Sequence, residues 1–234
     1  MLAHRAPRAQ AAASTDEVDL LLILAADISH SMQPADLRMQ REGYVAALRD
    51  GDVLGAIRSG PCGAVAMLYL EWSGTEDQRV LVPWTRIAGA EDAQDFAAAL
   101  AAAPQRVGSW TSISGAIAAS RRLMRDAPFA AERRVVDISG DGENNNGEPV
   151  QAQRDLAVGE GITINGLPIL RGPSRHLAST GADAPPLEAH YRDLVIGGPG
   201  AFALPAEGFD AFHMAIRRKL VMEIAWRGGD TATG

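Results

Sequence analysis

Asp27, Ser29 and Ser31 stand at alternate positions just past an unbroken apolar run, in the segment DLLLILAADISHSM. A carboxylate and two hydroxyls packed into so short a stretch make an all-oxygen half-shell, the donor set that a hard divalent cation such as Mg²⁺ prefers. Two more small oxygen ligands lie far downstream. Thr111 sits in the polar loop VGSWTS, which opens a helical pattern, and Asp141 follows an apolar run in SGDG. Taken singly, each has an ordinary reading, because a serine or threonine beside a helix start is usually an N-cap and an aspartate before glycine is usually a turn residue. Taken in this order and spacing, the five residues point to one metal site assembled from three loops.

Such a site needs a scaffold that brings distant loops together. The apolar run from Val18 to Ala26 reads as a strand buried on both faces, and strands of that kind belong to parallel sheets covered by helices. Open α/β sheets bind ligands in the crevice beyond the carboxyl ends of their strands, where the loops of neighbouring strands lie side by side. The rest of the chain supplies matching elements. Pro34 and Asp36 suit a helix first turn, followed by Leu37, Arg41, Tyr44, Val45 and Leu48 on one helical face. Ala64 to Trp72 reads as a second strand; RVLVPWT contains Pro83 and is predicted to be an edge strand, hairpin-paired with its predecessor. Ala90 to Ala103 is a helix that stops at Pro104, and Ile113, Ala116, Ile117, Ser120 and Met124 mark one side of the next. RRVVDIS and ITINGLPIL are buried strands separated by the helical PVQAQRDLAVGEG. A helix over Pro185 to Ile196, a short strand in AFALPA and a closing amphipathic helix over Phe209 to Ala225 complete the order. This alternation predicts a doubly wound, Rossmann-like α/β fold: a mostly parallel sheet of about six strands, one antiparallel edge, helices on both faces.

With 234 residues, 47% apolar and 22% charged, the chain can bury one substantial core. Its net charge of −7 argues against nonspecific attraction to nucleic acid or anionic membrane. Cys62 is the only cysteine, which excludes an intrachain disulfide and a thiolate zinc cluster. No segment approaches the ~20 consecutive apolar residues of a membrane span. The expected organisation is one domain over 18–226, a disordered leader or signal-peptide remnant over 1–17, and a disordered tail over 227–234. Ala11 to Ala13 would suit a cleavage site, although no apolar h-region precedes them. The leader is therefore either cytoplasmic or the end of a signal peptide starting upstream, and the latter would make the protein periplasmic or secreted.

The pattern DxSxS, then a loop threonine, then a GDG-type aspartate resembles the metal-ion-dependent adhesion site (MIDAS) of von Willebrand factor type A domains. The flanking segments QREGYVAAL, YLEWSG, TSISGAI, DISGDGENNNG, YRDLVIGGPGAF and FHMAIRRKL are similar to an uncharacterised bacterial family of von Willebrand factor A-like proteins, over about Val18 to Ala225. This resemblance implies that Ser29, Ser31 and Thr111 donate oxygens directly to Mg²⁺ or Mn²⁺. Asp27 and Asp141 then hold bound waters, one of them able to switch to direct ligation. A first shell with little negative charge keeps the ion electrophilic, so its open position can take an Asp or Glu carboxylate from a partner protein. The implied role is cation-dependent protein–protein recognition without catalysis. Two residues depart from the usual pattern: His30 stands where many such domains carry glycine, and Trp110 is unusual in a loop that often carries glycines. His30, Trp110, Asn144 and Asn145 are the expected rim around the partner. A solvated turn is the more economical reading of the asparagines, and Asn145→Ala is expected to leave metal binding intact.

Three rival readings use the same residues. Asp137 to Glu148 nearly matches a calcium-binding EF-hand loop, but RRVVDIS before it is β-branched rather than helical, and Asn144 occupies the usual aliphatic position. A phosphoester hydrolase could use Asp27 as nucleophile. It would want a second carboxylate two residues on, where Ser29 stands, and a lysine nearby, whereas the only lysine is Lys219 in the closing helix. A serine hydrolase elbow of GxSxG type is absent. The third alternative is a structural scaffold with an unoccupied site. Trp72 and Trp84 are expected to pack on the core or the sheet face.

Overall fold

Every side chain of strand β1 (Leu20–Asp27) is buried, and the alternation along it divides the interior into two layers. The computed structural model describes residues 16–170, 186–208 and 211–225. Beside β1 lie β2 (Val65–Trp72), β3 (Gln78–Ile87), β4 (Arg133–Gly140) and β5 (Thr163–Pro168), in the sheet order β3-β2-β1-β4-β5. β1 pairs in parallel with both β2 and β4, and β4 with β5. β3 is the antiparallel edge, as Pro83 requires, and the register shifts where it passes Met67 and Tyr69.

Leu20, Leu22, Leu24 and Ala26 face one layer of helices: α1 (Pro34–Leu48), α2 (Gly51–Arg58), α3 (Ala90–Ala102) and α7 (Phe212–Ala225). Leu21, Ile23 and Ala25 face the other: α4 (Ile113–Arg125), α5 (Val150–Gly159) and α6 (Leu187–His190), which runs on into a π-helical turn, Tyr191–Val195. Burial on both faces explains why β1, β2 and β4 read as continuous apolar runs rather than as alternation. The predicted doubly wound sheet is present.

Two details differ from the sequence reading. The sheet has five strands, because AFALPA contributes only isolated parallel bridges, Gly166 to Ala203 and Ile169 to Ala206. Pro205, which has no N–H to give, interrupts any ladder there. Helix α2 was not expected; Asp50 caps it by accepting from the Asp52 N–H at 2.9 Å. Residues 1–15 of the leader expected over 1–17, and the tail expected over 227–234, lie outside the described residues; Asp16 and Glu17 are described, and the Asp16 carbonyl accepts from the Ala130 N–H at 2.8 Å.

Candidate metal centre

The loop after β1 is fixed at both ends. The Ile28 N–H extends the sheet by donating to the Trp72 carbonyl at 2.9 Å, and Ile28, Met32 and Leu37 form a small apolar cluster beneath the loop. Gln33 caps α1, with its N–H donating to Asp36 Oδ2 at 3.1 Å, and Pro34 follows at the first helical position. The cap of α4 is Ser112, whose hydroxyl accepts from the Gly115 N–H at 3.1 Å. Neither Ser29, Ser31 nor Thr111 is therefore a helix cap, and the ordinary reading of each falls away.

Hydrogen bonds tie the three loops pairwise. The Gly108 N–H donates to the Ile28 carbonyl at 2.6 Å, joining the loop before α4 to the loop after β1. A side chain at Gly108 would prevent this approach, since its Cβ would lie 2.1 Å from Ser73 Oγ. The Ser31 hydroxyl donates to Asp141 Oδ1 at 2.6 Å, joining the β1 and β4 loops across 110 residues of chain. The Thr111 N–H donates to Asn145 Oδ1 at 2.9 Å, and the Asn145 N–H returns a bond of 2.9 Å to the Thr111 carbonyl. Thr111 is buried against this loop; a Cβ on Gly142 would lie 3.5 Å from its Oγ1. The five oxygen-bearing residues thus meet at the carboxyl end of the sheet.

The asparagine run makes cross-loop hydrogen bonds beyond those of a simple solvated turn. Asn144 Oδ1 accepts from the Ser114 N–H at 3.0 Å, Asn145 holds Thr111, and Asn146 Oδ1 accepts from the Thr75 N–H at 2.9 Å. Each side chain pins a different neighbour, with Asn144 half-buried and Asn145 exposed beside Thr111. His30 and Trp110 are exposed in the loops that carry Ser29, Ser31 and Thr111, Trp110 to 59%. Trp72 is fully buried, and half-buried Trp84 donates its indole N–H to the Leu123 carbonyl at 3.2 Å. The calcium-loop reading fails because Asp137 lies within β4, against Lys219.

Asp27 is fully buried, and its Oδ1 accepts from the Ser29 N–H at 2.7 Å. Its Oδ2 is buried with no hydrogen-bond partner. Burial, together with the charge of Asp141, pushes the carboxyl up to about 8. The donor set fits a small hard cation. Octahedral ligands at about 2.1 Å from an ion are about 3 Å apart along each edge, and the Ser29 and Ser31 hydroxyls are 3.1 Å apart. An adjacent cation would also make the ionised form of Asp27 favourable. Among the described residues no three or more His, Cys, Asp or Glu side chains cluster in a way suited to a metal. Two carboxylates with three hydroxyls are a different kind of site, rich in neutral oxygen.

This architecture is the von Willebrand factor A-like fold. The chain belongs to the family described as protein of unknown function DUF1194, whose model matches residues 17–228. Proximal thread matrix protein 1 of the mussel byssus is similar in structure, with a TM-score of 0.61 at 14% identity over 89% of this chain and 49% of that one. A second form of that protein, with a zinc-occupied MIDAS motif, matches with a TM-score of 0.57 at 13% identity, over 88% and 45% of the chains. A von Willebrand factor type A protein from Catenulispora acidiphila gives 0.58 at 12% identity, over 88% and 43%. The pilus adhesin SpaC from Lactobacillus rhamnosus GG gives 0.62 at 13% identity, over 90% and 31%. The present chain spans about half the length of the matrix protein and less of the adhesin. No curated protein matches the sequence.

Proposed function

We propose that this protein is a recognition module that captures an acidic residue of a partner protein through a divalent cation held by Ser29, Ser31, Thr111, Asp27 and Asp141. The convergence of three loops carries this reading, above all the Ser31 to Asp141 bond of 2.6 Å between a strand-1 loop and a strand-4 loop. The zinc-occupied MIDAS motif of a protein with the same fold supports it. Magnesium or manganese is the expected ion, because hydroxyl and carboxylate oxygens suit hard cations. When bound, the ion supplies a Lewis-acidic position that a carboxylate oxygen can fill. The protein's part is to hold the Ser29 and Ser31 hydroxyls 3.1 Å apart, bring Thr111 and Asp141 to them, and present exposed Trp110 and His30 beside them.

Catalysis is not part of the proposal. Ser29 stands where a hydrolase would place its second acid, and the ammonium of Lys219 is committed to Asp137 and Glu223. Thermal denaturation in Mg²⁺ or Mn²⁺ against EDTA tests the ion: binding to the native state raises stability by about 2.7 kcal/mol at a hundredfold excess over Kd, and an empty scaffold shows no shift. Capture of a prey protein by the immobilised wild type in Mg²⁺, lost both in EDTA and with Thr111→Ala, tests the partner. A prey retained in EDTA contradicts the reading.

A further inference from the structure

We infer that Tyr191 is a positioning residue of this site, its hydroxyl donating to Asp27 Oδ2 from beneath when the ion is bound. The inference rests on the cation site proposed above and concerns a residue outside its ligand set. Tyr191 is fully buried in the layer formed by α4, α5 and α6, and its hydroxyl has no hydrogen-bond partner. A phenol sealed from water without a partner is costly, and a phenylalanine would fill the same space without that cost. Asp27 Oδ2 is buried and accepts no bond of good geometry either, although the Ser29 hydroxyl and the Asp141 N–H approach the carboxylate.

The two orphaned atoms border one small space. A Cβ on Gly140 would lie 2.9 Å from Asp27 Oδ2 and 3.0 Å from the Tyr191 hydroxyl oxygen. One strand over, a Cβ on Gly166 would lie 2.6 Å from Tyr191 Cδ1, so the ring lies where only glycine leaves room. Backbone geometry contributes to the aim. Tyr191 opens the π-helical turn, and its carbonyl accepts from the Ile196 N–H at 3.0 Å, the five-residue bond that defines such a turn. An extra residue in the turn redirects a side chain, and π turns are frequent at functional sites. Two glycines on adjacent strands, an irregular turn and a partnerless hydroxyl converge on the free oxygen of one carboxylate.

The consequence concerns orientation. Asp27 Oδ1 is already fixed by the Ser29 N–H. A second donor on Oδ2, directly or through one water, fixes the plane of the carboxylate, while a remaining lone pair faces the ion side. Partners behind a ligand set change metal affinity by about 10–100-fold when removed.

Calorimetric titration with Mg²⁺ of the wild type and of Tyr191→Phe, with ultraviolet difference spectra recorded alongside, tests the inference. Tyr191→Phe is expected to bind Mg²⁺ about tenfold more weakly, while its melting temperature without metal is unchanged or higher. Mg²⁺ is expected to shift the wild-type tyrosine absorbance, and the variant, which keeps Tyr44 and Tyr69, to lose that shift. Equal Mg²⁺ affinity in the two proteins overturns the role of Tyr191 and leaves the ion site standing. A wild type that binds neither Mg²⁺ nor Mn²⁺ overturns both.

Discussion

Asp27 on β1 and Asp137 on β4 are both fully buried carboxylates on neighbouring strands, turned toward opposite helical layers. Asp137 faces the only lysine in the chain. Lys219 Nζ lies 2.7 Å from Asp137 Oδ1 and also bonds Glu223 Oε1, which accepts in turn from Asn165 Nδ2 at 2.9 Å. Lys219, Glu223 and Asn165 are all buried, so the cation of this network is built in, although Asp137 Oδ2 and Glu223 Oε2 accept no hydrogen bond. Around Asp27 the surroundings have the opposite character. Its donors are neutral, the Ser29 N–H and hydroxyl and the Asp141 N–H, the charge that raises it is the Asp141 carboxylate, and no cationic side chain among the described residues pairs with it. Burial raises both acids, but Lys219 pulls Asp137 back down, and for Asp27 only hydrogen bonds oppose the rise. This fold can furnish a matched cation where pairing serves the core. At Asp27 no such cation is built in, and the ion proposed for this site would come from solvent.

Breaking the Lys219 network is the largest expected effect. Lys219→Met strands two buried carboxylates and is expected to cost about 3–5 kcal/mol, read as a lower urea midpoint that is the same in Mg²⁺ and in EDTA. A drop that Mg²⁺ reverses would mean that the two regions are not independent. Asp27→Asn is the converse. It removes a buried acid, so the metal-free protein is expected to be at least as stable as wild type near neutral pH. The stabilisation by Mg²⁺, about 2.7 kcal/mol at a hundredfold excess over Kd, is expected to vanish, and an undiminished Mg²⁺ shift would remove Asp27 from the site.

The same contrast has a pH signature. Asp27 is pushed up to about 8 in the folded protein against 3.8 ordinarily, so between those values the native state holds a proton that the unfolded chain has lost. Stability without metal is therefore expected to fall as pH rises from about 4 toward 8, and saturating Mg²⁺ to flatten the upper part of that fall. Asp137, pushed up to about 7, adds to the same fall, so the share of Asp27 is what Asp27→Asn removes; a slope unchanged in that variant with EDTA would contradict the burial of Asp27 as a lone acid. The smallest effect belongs to Asn145→Ala. Losing one side-chain hydrogen bond to Thr111 costs about 1 kcal/mol, or roughly fivefold in Mg²⁺ affinity. Unchanged affinity there would return Asn145 to the status of a turn residue.

Much of this was legible in the chain. The apolar runs reported buried parallel strands because burial on both faces erases alternation, and Pro83 marked the edge strand because proline cannot serve a central ladder. The order of Asp27, Ser29, Ser31, Thr111 and Asp141 sufficed to expect convergence, since sheet topology brings loops at strand ends together. Other features left no local trace. Helix α2 begins at Gly51 and carries Gly55, poor helix formers that masked a helix held by the Asp50 cap. The asparagines read as a turn because their composition is that of a turn; their partners, Ser114, Thr111 and Thr75, are remote in sequence. Tyr191 was invisible as a site residue, since only the glycines of two other strands and a π turn bring its hydroxyl near Asp27.

An anomalous difference map from Mn²⁺-soaked crystals addresses the claim most directly. The account expects a single strong peak bonded to Ser29 Oγ, Ser31 Oγ and Thr111 Oγ1, with Asp27 and Asp141 around it. A protein that stays folded and shows its manganese elsewhere, or shows none at saturating concentration, contradicts it.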